Sequence, residues 1–230
     1  MDKIVSWFSQ LRFDTISDTL IVLAASLLCI TFHELCHGLA AFALGDRTAQ
    51  NMGRLTLNPL KHIDLLGLIS MALLHFGWAK PVPVDMRNFK HPKLGMAITA
   101  LAGPMANVLL CYLAILGENA LYVRMLLDAK PWMETVMLFL AYLSVISAGL
   151  AIFNIFPIPP LDGSKILFSL LPDRLYYKLM RVERFGSIVL LILLFTHVLD
   201  QPLLDLRQGL IGILQSASAW IFDPMLKLFS

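Results

Sequence analysis

The segment His33-Glu34-Leu35-Cys36-His37 contains the side-chain types of a metal site. An α-helix turns by about 400° over four residues, so His33 and His37 would lie on one face, one turn apart. Two imidazoles in that arrangement can bind one metal ion, and Glu34 lies where it can polarise a water on that ion. The spacing therefore predicts a metal site, most simply zinc, beside a carboxylate.

The chain around this segment is apolar, and that context strengthens the prediction. Residues 19–44 are long enough to cross a bilayer. An ionisable side chain within a spanning helix costs about 2.5–3.5 kcal/mol, so this polar cluster needs a compensating partner, which a metal and its water supply. The alternative is that the helix ends near residue 32 and the cluster lies among lipid headgroups. Against it, residues 38–45 continue the apolar run.

Two histidines and a water leave a tetrahedral zinc one protein ligand short. Asp162 is the strongest candidate. The prolines just before it stop a helix, and an unwound segment at membrane depth must be buried in protein or line a watery cavity. Such a segment could bring the Asp162 carboxylate to the metal. Gly163 would then allow a tight turn. The alternative is that Asp162 caps a turn where the chain leaves the membrane. The other candidates are the acidic residues near apolar segments and the remaining histidines, His62, His75, His91 and His197.

Two asparagines lie in apolar runs, where a side-chain amide must find a hydrogen-bond partner. Asn107 follows Gly103-Pro104, a pair that breaks or kinks a helix, and Asn154 precedes the proline-rich segment. Each amide could donate to a substrate carbonyl or a developing oxyanion. Each could equally hold two membrane helices together.

The composition indicates what must position these residues. Of the 230 residues, 58% are hydrophobic and 15% are charged, whereas a soluble domain has about 45–50% apolar and about 25% charged residues. This excludes an ordinary cytosolic enzyme and a disordered protein, and the formal net charge of +2 excludes a nucleic-acid binder. The lipid bilayer is the expected environment.

The expected fold is an all-α polytopic membrane protein, a bundle of about five to six transmembrane helices. Residues 94–117 and 135–161 contain no charged side chain and can span outright, and 185–199 and 208–222 can span with snorkelling ends. A small irregular or β element is expected at 46–64 and 80–90. The apolar segment 65–79 has the length of a short or re-entrant hairpin.

One membrane-embedded domain is expected over 1–230. It comprises an N-terminal segment 1–18, a catalytic core 19–165 and C-terminal helices 185–230. The first segment is either a helix lying in the membrane interface or a leader attached to the first span. Lys and Arg number seven in 45–93 and five in 162–184, against two each in 1–18 and 118–134. The positive-inside rule therefore predicts that 45–93 and 162–184 are cytoplasmic, with the metal site in the cytoplasmic half.

Three patterns taken together resemble the site-2 proteases, a family of intramembrane zinc metalloproteases. They are His33-Glu34-x-x-His37, Gly103-Pro104-x-x-Asn107 and Asn154-x-x-Pro157-x-Pro159-x-x-Asp162-Gly163. The resemblance implies that His33, His37 and Asp162 bind one Zn²⁺ and that Glu34 is the general base. It suggests that Asn107 and Asn154 steady the substrate or oxyanion. It also implies a compact form of the family, without a PDZ or CBS domain, in a prokaryotic cell membrane.

The expected function is hydrolysis of a peptide bond in or near the transmembrane segment of a membrane-protein substrate. The alternative is a non-enzymatic membrane scaffold whose metal is structural, and Glu34 argues against it because a structural site does not use a base. A metal transporter would need polar groups along a path across the bilayer, whereas here they concentrate on one side. Residues 80–87, which contain Pro81 and Pro83, would form either an edge strand that binds unwound substrate or a surface loop.

Overall fold

The computed structural model describes residues 16–64 and 80–226, and all of its regular structure there is helical. The expected interfacial segment lies almost wholly outside these residues, as do the 65–79 hairpin and His75. Within the described ranges there are eight α-helices: α1 (Ile16–Ala43), α2 (Thr48–Asn51), α3 (Pro92–Leu127), α4 (Pro131–Ile155), α5 (Asp162–Ser169), α6 (Asp173–Val182), α7 (Gly186–Phe195) and α8 (Asp200–Leu226).

Three of these helices, α1, α3 and α4, are long and apolar enough to cross a membrane. The short helix α7 and the first part of α8 meet at a 90° bend and could together make a fourth span. The all-helical fold is therefore confirmed for the described residues, which contain three or four candidate spans; the predicted count of five to six is not confirmed.

Helix α3 is the centre of the bundle. It packs most extensively against α4 and α1, and α8 covers parts of α3 and α4. One buried, largely apolar cluster joins the three candidate spanning helices. Its small members, Ala25, Cys29 and Ala114, let helices approach closely where lipid offers no hydrophobic driving force. Its members are Ala25, Cys29, Leu110, Ala114, Tyr142 and Leu143.

Proline and glycine act differently at two places near the predicted site. Helix α3 continues through Pro104, so of the predicted break or kink the break does not occur. Helix α4 ends at Ile155, and the proline-rich residues that follow are unwound up to Asp162, where α5 begins. A Cβ at Gly163 would collide with the Ile155 backbone carbonyl oxygen. Only glycine therefore lets this segment fold back tightly against the end of α4.

The connection between α1 and α3 is irregular. Its described part contains α2 and the 3₁₀ helices Pro59–Lys61 and Met86–Asn88, and no strand is formed there beyond one bridge residue, Ile63. Pro81 and Pro83 lack N–H groups, and side chains from other segments bind several backbone groups of residues 80–85. The expected irregular element is thus present in the described residues, and its β alternative is not.

Candidate metal centre

Three potential metal-ligand atoms from two distant parts of the chain meet at one point. His33 Nε2 lies 2.9 Å from His37 Nε2 and 3.2 Å from Asp162 Oδ2, and His37 Nε2 lies 3.1 Å from the same carboxylate oxygen. All three residues are buried. A tetrahedral zinc with bonds of about 2.0–2.2 Å separates its ligand atoms by about 3.3–3.5 Å. The observed spacing is therefore close to that of three corners of a zinc tetrahedron.

Helix α3 leaves room for the two imidazole rings because residue 103 is glycine. A Cβ at Gly103 would lie 2.7 Å from His33 Cε1 and would collide with His37 Nε2. The close approach also brings His37 Nδ1 to 2.6 Å from the Thr99 backbone oxygen. A carbonyl oxygen only accepts, so Nδ1 carries the proton of neutral His37 and Nε2 keeps its lone pair for a metal.

Asp162 begins α5 and uses its two oxygens differently. Oδ2 faces both histidines, and Oδ1 lies 3.7 Å from Lys165 Nζ, one helical turn later. Burial opposes ionisation, but the contacts with His33 and His37 and the Lys165 charge outweigh it and hold the pKa of Asp162 below its ordinary value. The side chain is thus held as a carboxylate, the form that binds metal.

Glu34 lies beside this centre in a cavity of about 630 Å³. Its Oε2 accepts a hydrogen bond of 2.8 Å from the Val82 N–H. Pro81, Val82 and Val84 also line this cavity, as does Asn154 of α4. The cavity is therefore a space in which a carboxylate, the three ligand residues and an extended backbone segment meet.

That backbone segment, residues 80–88, is hereafter the strap. Arg54 is buried and its Nη2 donates to the Lys80 backbone oxygen at 2.7 Å. Asp46, just after α1, accepts from the Asp85 N–H and from Asn88 Nδ2, each at 2.7 Å. The strap is thus attached at both ends by buried charged side chains.

Asp46 is buried as an anion because donors surround it. Burial by itself would raise the pKa of Asp46, but hydrogen bonds from Thr48, the Asp85 N–H and Asn88 more than offset this, so the pKa is lowered. The connection after α1 therefore contains a fixed negative charge whose function is to hold backbone.

The two predicted asparagines occupy different positions. Asn154 lines the cavity, and its Nδ2 donates to the Leu150 oxygen one turn earlier in α4 at 3.0 Å. Asn107 is fully buried behind the metal ligands, with its Nδ2 3.1 Å from His33 Nδ1. Sequence pattern alone treats the two amides alike, and the structure separates them.

The other described histidines do not join the centre. His62 is buried with Nε2 2.9 Å from the Thr56 oxygen, His91 precedes α3, and His197 is exposed and pairs with Asp200. Within 16–64 and 80–226, His33, His37 and Asp162 form the only group of three possible ligands.

Several contacts of the site were not anticipated from the sequence. Lys165 could have been found from its three-residue spacing to Asp162 on a helix. The Thr99 carbonyl and the Val82 N–H are backbone groups, which any residue type supplies, so the sequence contains no signal for them.

Comparison with known proteins identifies what the chain is similar to. A family model described as "Peptidase family M50" matches residues 119–199, which include Asn154 and Asp162. A Bacillus subtilis (strain 168) protein described as "Putative zinc metalloprotease YwhC" is 37% identical over 200 residues, 85% of this chain and 90% of its own length.

More distant relatives have the same description. Rip2 of Mycolicibacterium smegmatis is 28% identical over 191 residues, 81% of this chain and 71% of its own length. Rip2 of Mycobacterium tuberculosis (strain H37Rv) is 26% identical over 183 residues, 78% of this chain and 68% of its own length. No solved structure matches the chain. The extent of the match to YwhC, together with the clustered ligands, shows that the chain belongs to peptidase family M50, the site-2 protease family, and is a zinc metalloprotease.

Proposed function

We propose that this metalloprotease hydrolyses a peptide bond in or near a transmembrane segment of a membrane-protein substrate. The observation that supports this most directly is the convergence of His33 Nε2, His37 Nε2 and Asp162 Oδ2 within 3.2 Å of one another, next to Glu34 in one cavity. The ligand helix α1 is also one of the candidate membrane spans. A peptide bond must therefore reach a site that is surrounded by spanning helices.

In this proposal His33, His37 and Asp162 hold the zinc. When bound, zinc lowers the pKa of a water toward about 7 and polarises the scissile carbonyl. Glu34 is the general base, and its carboxylate takes a proton from the attacking water and returns it to the leaving amine. The Val82 N–H keeps one oxygen of Glu34 in a fixed position, so the other oxygen is available for the proton.

Asn154 is suited to contact the substrate. It lies on the cavity wall and uses one amide hydrogen within its own helix, so its second hydrogen is available to a substrate carbonyl or developing oxyanion. The strap also lines this cavity, through Val82 and Val84. A substrate helix would have to unwind before its amide could enter between these walls.

We infer that the site opens toward the cytoplasm. His33 lies about 14 residues, or about 20 Å, from the predicted outer end of its span at 1.5 Å per residue. The strap and the metal ligands belong to the same end of the bundle as Lys93, whose Nζ pairs with Asp173 at 3.0 Å. This end includes the segments rich in Lys and Arg, which the positive-inside rule assigns to the cytoplasm. Because the relatives named above are bacterial, a bacterial cell membrane is the proposed location.

The test combines metal content with cleavage of a membrane-spanning test substrate by the purified full chain. The parent should hold one zinc and cleave. His33→Ala, His37→Ala and Asp162→Ala should each lose most of the zinc, whereas His197→Ala, which alters an exposed histidine, should keep it. Full zinc content in Asp162→Ala would overturn the ligand set.

Glu34→Gln separates catalysis from metal binding. It keeps the size of the side chain and removes the base, so it should bind zinc and fold as the parent does while cleavage falls by about 10²–10⁴-fold or more. Cleavage at the parent's rate would show that Glu34 is not the base. Failure of the parent to cleave any spanning substrate while holding zinc would favour the scaffold alternative.

A further inference from the structure

Asn107 has an unusual environment for a buried amide. It is on α3, fully inaccessible to solvent, and its Nδ2 lies 3.1 Å from His33 Nδ1. Its Oδ1 is also buried and has no hydrogen-bond partner within the described part of the chain. Of the two predicted asparagines, Asn154 lines the cavity, and Asn107 is absent from the described lining residues. Asn107 therefore contacts a metal ligand rather than a substrate.

The orientation of this amide determines where His33 carries its proton. If Nδ2 faces the ring, His33 Nδ1 accepts a hydrogen bond, so the proton of the neutral imidazole is on Nε2, which then has no lone pair for a metal. If Oδ1 faces the ring, His33 Nδ1 donates, and the Nε2 lone pair points to His37 Nε2 and Asp162 Oδ2. Only the second orientation is compatible with His33 as a ligand.

His37 does not depend on any side chain in this way. Its Nδ1 faces the Thr99 backbone oxygen, which can only accept, so its metal-binding tautomer is set by the main chain. His33 is the ligand whose tautomer a substitution can change. The two ligands of one helix are thus controlled by different kinds of partner.

We propose that Asn107 is a positioning residue of the zinc site: its Oδ1 accepts the His33 Nδ1–H and so keeps His33 Nε2 free to bind the metal. This inference rests on the proposed function, which assigns His33 as a ligand. It gives Asn107 a task different from holding substrate or oxyanion.

The test is zinc affinity, measured by competition with a chelator on the purified full chain. Asn107→Leu keeps the approximate volume and removes the acceptor, so zinc should bind about 10–100-fold more weakly. Asn107→Asp has only acceptor oxygens, so its zinc affinity should equal or exceed the parent's. Asn119→Leu is the matched control, because it removes the same group from the same helix, where Asn119 donates to Ser218, and it should leave zinc affinity unchanged.

The order of the variants distinguishes positioning from a structural role. If Asn107 had a purely structural role, Asn107→Asp would be the more damaging change, since it buries a charge, and the apolar Asn107→Leu would be tolerated better. Zinc affinity that decreases from Asn107→Asp through the parent to Asn107→Leu is therefore expected only if Asn107 sets the His33 tautomer. Zinc affinity equal to the parent's in Asn107→Leu would overturn the inference. A tenfold loss of zinc affinity in a folded Asn107→Asp would also overturn it. If Asn107→Leu does not fold, the zinc affinity of Asn107→Asp alone decides between the two roles.

A His33→Ala arm distinguishes this inference from the proposed function. Zinc retained in His33→Ala would refute the ligand assignment itself. Zinc lost in His33→Ala but retained at parent affinity in Asn107→Leu would refute only the role of Asn107.

Discussion

The two ends of the α1–α3–α4 bundle are held together by different means. At one end, Ala25, Cys29, Leu110 and Ala114 pack closely with Leu143, with few polar groups among them. At the other end, His33, His37 and Asp162 meet Asn107, and the backbone is held by Glu34, Asp46 and Arg54. We call these the apolar end and the metal end.

The comparison shows where function is concentrated along the same helices. The apolar end requires only small residues and a good fit, which many sequences provide. The metal end requires particular atoms at particular distances, and each buried polar group needs a partner. Substitutions at the apolar end should therefore reduce stability, and those next to the metal should reduce metal binding or activity at nearly constant stability. Loss of a side chain that only anchors the strap, such as Asp46, should reduce stability moderately.

The largest expected effect comes from comparing two glycines of α3, Gly103 at the metal end and Gly117 toward the apolar end. Gly103→Ala places a Cβ against both imidazole rings, so we expect most of the zinc and all measurable cleavage to be lost. In Gly117→Ala the Cβ would lie 3.2 Å from Leu140 Cδ1, the end of a flexible side chain, so zinc content should not change. Zinc analysis and cleavage of the spanning substrate check both. Normal zinc in Gly103→Ala would show that the rings can move apart freely.

The reverse experiment removes packing at the apolar end. Leu143 is 5% exposed, and Leu143→Ala should cost about 2–5 kcal/mol of unfolding free energy through the cavity that it leaves. Below the lowered melting temperature, zinc content and cleavage should match the parent's. Thermal unfolding in detergent, with zinc content measured on the same sample, checks this. Loss of zinc from the folded variant would mean that the two ends are not independent.

An intermediate effect is expected where the strap is attached to the metal end. Asp46→Asn replaces one acceptor oxygen by an NH₂ group that would face a donor, so the free energy of unfolding should fall by about 1–3 kcal/mol. The lowered pKa of Asp46 sets the sign of its pH dependence. Its stabilising effect is complete above its ordinary pKa of 3.8 and is lost as pH falls through the lower, folded value.

Melting temperatures of the parent and Asp46→Asn should therefore differ at pH 7 and converge as the pH is lowered below about 4. A gap that stays constant over this range would show that the Asp46 charge does not stabilise the fold. Thr135→Ala, an exposed change at the start of α4, serves as the control and should show no gap at any pH.

The metal end also shows how far sequence reasoning reaches. The helical spacing of His33 and His37 predicted their meeting, and the prolines before Asp162 predicted the unwound segment that brings a third candidate ligand atom to them. Local patterns could predict these because each depends on residues near in sequence. The contact of Asn107 with His33 joins residues 74 apart, so it depends on how two helices are rotated against each other. Neither hydropathy nor spacing determines that rotation.

The strap is the clearest case of a feature that pattern alone left open. Alternation of Val82 and Val84 with prolines suits an edge strand or a loop, and which one forms depends on distant groups. In the structure the Arg54 guanidinium and the Glu34 carboxylate bind backbone groups that a neighbouring strand would otherwise use. Side chains that are 26 and 48 residues away in the sequence thus determine the local backbone conformation.

The smallest expected effect concerns the strap as a binding surface for unwound substrate. The Val82 N–H is used by Glu34, whereas the Val84 N–H has no partner in the described ranges, and Val84 lines the cavity. Val84→Pro removes that donor, and Val84→Ala keeps it while shortening the side chain.

If an extended substrate pairs with the strap through the Val84 N–H, cleavage should fall several-fold in Val84→Pro, about the effect of one net hydrogen bond of 1 kcal/mol. It should fall less in Val84→Ala. Because Val84 is not one of the three candidate metal ligands, zinc content and melting temperature should stay near the parent's in both. Equal losses in the two variants would assign the effect to side-chain packing, and unchanged cleavage in Val84→Pro would show that substrate is held elsewhere.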